Sequence, residues 1–210
     1  MFIVFEGADS SGKTIQSKML YEALRNKGSS CFLTTEPSKD TTGLAIRECL
    51  THPSKFVDQD EENEFIGHLC LADRFHHVFN KVDGIASLLN ENRVVISDRY
   101  HFSTMAYNYN INNTDKAYNL ISQYMIKRFP VPDLIFYLKI TPELSIDRLS
   151  KLTTLDKYEN LAKQISVINA YDKMIENKIM PASIIDASKG INDIHNEILS
   201  IVLFRLACKI

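Results

Sequence analysis

The chain is short of several features that would assign it to other classes. Its 210 residues contain only four cysteines, Cys31, Cys49, Cys70 and Cys208. They form no C-x-x-C pair, and free thiols in a reducing compartment are expected. No apolar stretch approaches the roughly 20 residues of a membrane span. The apolar opening, MFIVFEG, runs straight into a glycine-containing loop, so it reads as a strand and not as the core of a signal peptide. A net charge of -2 and a pI of about 6.3 leave no basic footprint for nucleic acid, which raises a domain's pI above about 9. Internal repeats, low-complexity tracts and Gly/Ser linkers are also missing. These absences predict a soluble, cytoplasmic protein with neither nucleic-acid nor membrane partners.

What is present is a hydrophobic share of 45%, ample for a core, in a pattern that alternates strands with helices. Phe2–Glu6 is a continuous apolar run, as expected of a strand buried on both faces. Lys13–Asn26 places Ile15, Met19, Leu20, Ala23 and Leu24 at helical spacing, with Gly28 beyond its end as a cap. Cys31–Thr35, Arg93–Ser97, Asp133–Leu138 and Ser183–Asp186 are further strands. Residues 61–90 read as one long helical region. Helices are also expected from about Pro142, over 159–178, and at the C-terminus, where Ile191, Ile194, Ile198 and Val202 share a face. This alternation predicts an α/β three-layer fold, a five-stranded parallel sheet with helices on both sides. Residues 1–210 form a single domain in this reading, with a short lid near 150–158. Ligands of such sheets bind at the carboxyl ends of the strands, which places the chemistry just after Glu6, Thr35, Ser97, Leu138 and Asp186.

The first of these positions carries G-x-x-x-x-G-K-[ST], spelled Gly7, Ala8, Asp9, Ser10, Ser11, Gly12, Lys13 and Thr14. The glycines let backbone N–H groups turn inward around phosphate oxygens, and the helix starting at Lys13 adds its N-terminal dipole. Lys13 is expected to reach the β- and γ-phosphates, and Thr14 to hold Mg²⁺. The motif lies between an apolar strand and an amphipathic helix, the context it requires.

Two short motifs suggest a GTP-binding switch: Asp40-Thr-Thr-Gly43 and Asn80-Lys-Val-Asp83. Context argues against both. The guanine-reading motif should end an apolar strand, whereas the residues before Asn80 read as helix, and Asp40 is separated from its strand by four residues. Adjacent His76 and His77 have no cysteine or carboxylate partner at metal-ligand spacing and read as a helix surface. A kinase reading finds its charged groups at the strand ends instead: Thr34-Thr-Glu-Pro-Ser-Lys39, Asp98-Arg-Tyr100 and Asp186-Ala-Ser-Lys189, with Ala72-Asp-Arg74 between. Phosphoryl transfer needs cations to neutralise the acceptor phosphate and an acid to order metal and water.

Over almost its full length the chain resembles the thymidylate kinases, nucleoside-monophosphate kinases that make dTDP from dTMP. The resemblance rests on residues 5–14, the Thr-Glu-Pro turn, Ala-Asp-Arg (72–74), Asp-Arg-Tyr (98–100) with Ser103 and Tyr107, Pro132-Asp-Leu, Lys157-Tyr-Glu-Asn160 and Ile185-Asp-Ala-Ser188. It implies ATP and Mg²⁺ as cofactors and a homodimer. Asp9 then matches the carboxylate that meets the acceptor's 3′-hydroxyl, and Arg74 the arginine on the thymine edge. Arg99 matches the clamp on the acceptor phosphate, and Asp98 the acid near Mg²⁺. Tyr107 and Tyr158 match aromatics walling the deoxyribose and base. Arg148 matches an arginine that contacts ATP, and Ala187–Lys189 the loop beside adenine.

Three positions depart from the family pattern. Thr35 stands where an arginine is usual, with Lys39 placed to supply the charge. Cys70, one helical turn before Arg74, stands where an aromatic face is usual. Ser10 follows Asp9, so the transition-state charge must come from a lid offering Arg148, Lys151 and Lys157. Two alternatives accompany the thymidylate kinase reading: a kinase for another deoxynucleotide or deoxynucleoside, or a nucleotide-binding module with little catalysis.

Overall fold

The computed structural model describes residues 1–109, 123–151 and 156–208. The expected strands form β1 (Phe2–Glu6), β2 (Cys31–Thr35), β3 (Val94–Asp98), β4 (Leu134–Lys139) and β5 (Ser183–Asp186). All pairings are parallel, in the order β2-β3-β1-β4-β5. Every residue of β1 and β3 is buried, which requires cover on both faces and explains their unbroken apolar runs.

The helices are α1 (Lys13–Asn26), α2 (Thr41–Thr51), α3 (Gln59–Phe79), α4 (Ile85–Asn90), α5 (His101–Asn108), α6 (Pro142–Leu149), α7 (Leu161–Glu176) and α8 (Ile191–Ala207). Residues 123–128 are also helical. Helix α1 packs against α8, while α5 packs against both α3 and α7. Local chemistry fixes the starts. Asp58 caps α3 by accepting from the Asp60 N–H at 2.7 Å, and three acids follow in its first turn, where the helix dipole favours negative charge. Thr141 caps α6 with Pro142 behind it, and Asn160 caps α7 by accepting from Lys163 N–H at 3.0 Å.

Three sequence expectations are corrected. The region 61–90 is two helices. Asn80 accepts from the Val82 and Asp83 N–H groups, both at 3.0 Å, an Asx turn that competes with helix. A Cβ at Gly84 would stand 2.3 Å from the Asn80 carbonyl oxygen. On α1, Ile15 is half-exposed instead of in the core, and the buried positions are Lys13, Gln16, Ser17, Leu20 and Leu24. Finally, α2 and α5 were not anticipated. Helix α2 opens with Thr-Thr-Gly, weak helix formers, and Gly43 is forced there because a Cβ would meet the Ser38 carbonyl at 2.2 Å. All eight residues of α5 are buried, so it shows no amphipathic period. Of the expected lid, residues 152–155 lie outside the described residues.

The core centres on the strands. Phe5 of β1 and Phe136 of β4, register partners, meet with ring centroids 5.5 Å apart, and both are fully buried. Phe136→Ala is expected to lower stability by about 3–5 kcal/mol through lost burial and the cavity left behind, read as a lower midpoint at unchanged slope in urea unfolding.

Candidate active site

The loop between β1 and α1 curls under three positive φ angles: Gly7 (149°), Ser10 (58°) and Gly12 (95°). At Gly7 a Cβ would lie 2.8 Å from the Leu138 carbonyl and 2.9 Å from Ser11 Oγ, so no larger residue fits. Lys13 is buried, and its ammonium folds back to donate to the Ala8 carbonyl at 2.6 Å and to Ser11 Oγ at 3.3 Å. Burial, and then the Arg99 charge, pushes this ammonium down to about 8. Thr14 Oγ1 donates to Asp98 Oδ2 at 2.5 Å. The other carboxylate oxygen, Asp98 Oδ1, is buried with no partner.

The β1–β3 register sets Phe5 beside Asp98, and Arg99 N–H donates to the Phe5 carbonyl at 2.9 Å. Arg99, at φ 74°, thereby reaches across the loop. Its guanidinium donates to the Gly7 carbonyl at 3.0 Å, Ser103 Oγ at 3.1 Å and Tyr107 Oη at 3.2 Å, and it pairs with Asp9 Oδ1. It also lies over the Tyr107 ring at 4.8 Å. Burial works to raise the Asp9 carboxyl, but Arg99 and Lys13 outweigh it and hold the group below the usual carboxylate range.

These residues open into a cavity of about 670 Å³ lined by Asp9, Lys13, Thr14, Asp98 and Arg99 on one side and by Thr35, Glu36, Cys70 and Arg74 on another. Tyr107, Asn108, Arg148 and Tyr158 are also on its lining. The Tyr107 and Tyr158 rings stand 5.8 Å apart, tilted by 38°. Tyr158 is fixed through Asn108 Nδ2 and Asn63 Oδ1, each 3.0 Å from its hydroxyl. Arg148 donates to the Ser10 carbonyl at 3.1 Å and the Ala187 carbonyl at 2.9 Å, bracing the phosphate loop against the end of β5.

Arg74 is wholly buried. It donates through Nε (2.9 Å) and Nη2 (2.5 Å) to Glu36 Oε2, and from Nη2 to Thr104 Oγ1 at 2.8 Å. Its guanidinium lies 5.0 Å from the Tyr100 ring centroid. Burial opposes the Glu36 charge, yet Arg74 and His77 hold its carboxyl below the ordinary value. Beside them, burial pushes the Cys70 thiol up to about 12, so Cys70 presents a neutral, soft surface.

Most residues anticipated from the sequence thus converge, but some do not. Lys39 is exposed and absent from the cavity lining, whereas Arg47 of α2 lies on it and donates to the Ser38 carbonyl at 3.2 Å. Lys189 is exposed and paired with Glu197 at 2.9 Å. Of the lid cations only Arg148 lines the cavity: Lys151 pairs with Asp147 at 2.7 Å and Lys157 with Glu62 at 2.6 Å. None of residues 139–147 and none of the described residues after Asp186 lines it; helices α2, α3 and α5 supply walls that the strand-end rule did not name. His77, expected on a surface, is buried against Glu36 and Thr34. Glu36, Arg47, Thr104, Asn108 and Gln164 were not singled out. Glu36 had one signal, its place at the carboxyl end of β2.

The family model described as thymidylate kinase matches residues 5–198. The chain belongs to the thymidylate kinase family. A probable thymidylate kinase of Pyrococcus horikoshii is 33% identical over 207 residues, covering 98% of this chain and 97% of that protein. A thymidylate kinase of Leptospira interrogans is 31% identical over 211 residues, covering 100% and 97%. One from Mycoplasma capricolum is 31% identical over 211 residues, covering 98% and 96%. The five-stranded parallel sheet is that of a P-loop kinase, and the family acts on nucleotides. Among the described residues no helix is long and apolar enough to cross a membrane.

The buried Arg74–Glu36 pair yields a stability test. Glu36→Gln leaves a desolvated guanidinium unpaired and should cost about 3–5 kcal/mol. Asp147→Asn, which breaks an exposed pair with Lys151, should cost under about 0.5 kcal/mol. Urea denaturation of the two variants checks the contrast.

Proposed function

We propose that the protein transfers the γ-phosphoryl group of ATP to dTMP, giving ADP and dTDP. The observation behind this reading is a single cavity holding a phosphate loop at one end and a buried, fixed arginine at the other. An ATP triphosphate fits the loop: inward N–H groups, the α1 N-terminus and Lys13 all meet its charge. A nucleoside monophosphate fits the remainder. Arg99 meets the acceptor phosphate, Asp9 the 3′-hydroxyl, and the Tyr107–Tyr158 wall the deoxyribose. Arg74, held by Glu36 and Thr104 and donating from Nη1 to Met125 Sδ at 3.0 Å, keeps one Nη1 N–H for a base carbonyl beside Cys70, and Ser103 holds Arg99 in place.

The reaction breaks the bond from the γ-phosphorus to the bridging oxygen of ATP and forms one to a phosphate oxygen of dTMP. No covalent enzyme intermediate is needed. Catalysis is positioning plus charge stabilisation. Lys13 leaves Ala8 and Ser11 to follow the transferring group, and Arg99 holds the attacking phosphate in line. Arg148 braces the donor side between Ser10 and Ala187. Thr14 Oγ1 and the unpartnered Asp98 Oδ1 suit Mg²⁺, which takes few protein oxygens and keeps several waters. When bound, that ion supplies charge neutralisation on the phosphates.

Two outcomes test the proposal. Arg99→Ala should lower kcat/KM for dTMP by about 10²–10³-fold while ATP still binds, and Arg99→Lys should restore little, because a point charge cannot replace the fork. Lys13, with its ammonium lowered to about 8, is increasingly neutral in the free protein above that pH, whereas bound triphosphate favours the charged form. ATP affinity should therefore weaken as pH rises through 8, with proton uptake visible by calorimetry in two buffers. Lys13→Met should abolish that dependence.

A further inference from the structure

Gln164 of α7 is fully buried and every hydrogen-bonding position of its amide is used. Oε1 accepts from the Asp9 N–H at 3.1 Å. Nε2 donates to Asp9 Oδ2 at 2.9 Å and to the Tyr158 carbonyl at 2.9 Å. Ser145 of α6 adds to the same cluster, its Oγ lying 2.9 Å from the Asp9 carbonyl and 3.3 Å from Gln164 Oε1. The Asp9 carboxylate is therefore divided, with Oδ1 facing Arg99 and Oδ2 facing Gln164. A buried side chain with two donors and an acceptor all satisfied has one orientation. It grips the phosphate loop by peptide and carboxylate together, and grips the acceptor wall by the backbone of Tyr158.

We infer that Gln164 is a positioning residue for phosphoryl transfer: it sets the Asp9 carboxylate against Arg99 and couples the phosphate loop to the tyrosine wall of the acceptor pocket. The inference rests on the reading of this cavity as the site of dTMP phosphorylation. Without Gln164, Oδ2 of Asp9 loses its donor, and the carboxylate is free to turn both oxygens onto Arg99. The guanidinium then has less to offer an acceptor phosphate. The end of the lid at Tyr158 also loses its tie to the donor loop.

Gln164→Glu isolates this role. It keeps the shape and the acceptor, but places a carboxylate oxygen where Nε2 faced Asp9 Oδ2. Two carboxylates at that distance share a proton as pH falls, and the protonated Glu side chain donates to Asp9 as the amide did. The other groups facing the cluster are Lys13 on the loop, Arg99 and Tyr107 beyond β3, Asp156, Tyr158 and Glu159 before α7, and Lys163 on α7. Wild type carries them too, so titrations not coupled to position 164 cancel in the variant-to-wild-type ratio at each pH.

The experiment measures ATP-dependent phosphorylation of dTMP by both proteins between pH 6 and pH 9. Wild-type turnover is established first; its absence overturns the functional reading and the inference with it, whereas the variant's results bear on the inference alone. The expected result is a loss in kcat/KM of about 10²-fold for Gln164→Glu at the alkaline end, recovering about tenfold or more toward pH 6. A ratio that stays flat across the range overturns the inference. If Gln164→Glu does not fold, Gln164→Met decides by the kcat-versus-KM split. A kcat about tenfold lower with the ATP KM at its wild-type value supports a positioning role. An unchanged kcat, or a loss wholly accounted for by ATP KM, contradicts it.

Discussion

The ion pair between Arg99 and Asp9 is the contact on which the rest of the site is built. The two residues follow neighbouring parallel strands, β3 and β1, so their proximity is a consequence of register. Arg99 leaves the sheet in a left-handed conformation, which turns its side chain over the phosphate loop. Four partners then hold it: Gly7, Asp9, Ser103 and Tyr107. Beneath them lies Glu6, fully buried, accepting from Ser103 Oγ at 2.5 Å, Tyr171 Oη at 2.9 Å and Tyr100 N–H at 3.1 Å. Burial pushes the Glu6 carboxyl up, and these donors offset that push only in part. A guanidinium anchored on several sides is already oriented for the acceptor phosphate of the proposed reaction. Little reorganisation remains at the moment of reaction, which is the condition under which charge stabilisation is most effective.

The far end of the cavity repeats this construction with a different outcome. Arg74 is neutralised by Glu36, backed by His77 and Thr34. Its net charge is thus largely spent inside the protein, which suits a neutral base edge better than a phosphate. Asp73 secures the arrangement by accepting from Ser38 N–H at 2.7 Å and Ser38 Oγ at 2.6 Å, so the turn carrying Glu36 is tied to the helix carrying Arg74. Cys70 adds an un-ionised thiol on the same wall. The loop end of the cavity carries Lys13, Arg99 and Arg148 beside Asp9 and Asp98, while the recess holds the matched Arg74–Glu36 pair.

The parts of this design that are local in sequence were legible there. The phosphate loop is eight consecutive residues whose glycines answer to backbone geometry, and the strands are apolar runs that double-sided burial demands. Asp98 and Arg99 were legible because a parallel sheet puts its chemistry at strand ends. The rest depends on partners far apart in the chain. Glu36 meets Arg74 across 38 positions and Asp9 meets Gln164 across 155, and nothing in either segment alone names its partner. Gln164 lies within the helix expected over 159–178, and no neighbouring residue points to Asp9. Lys157 reads from the sequence as a lid cation, but it is paired with Glu62, 95 positions away. Helix α5 has no legible period, because complete burial erases the alternation of apolar and polar faces.

In the proposed reaction the recess at Arg74 and Cys70 takes the thymine deoxynucleotide that accepts the phosphoryl group. The most direct test of this assignment is ATP turnover by the wild-type protein with dTMP, dAMP and deoxyguanosine, supplied singly at equal concentration with Mg²⁺ and followed by ADP release. dTMP is expected to give the highest kcat/KM, with dTDP forming in step with ADP. A higher kcat/KM for dAMP or deoxyguanosine would contradict the assignment of the recess while leaving the fold and the phosphate loop intact.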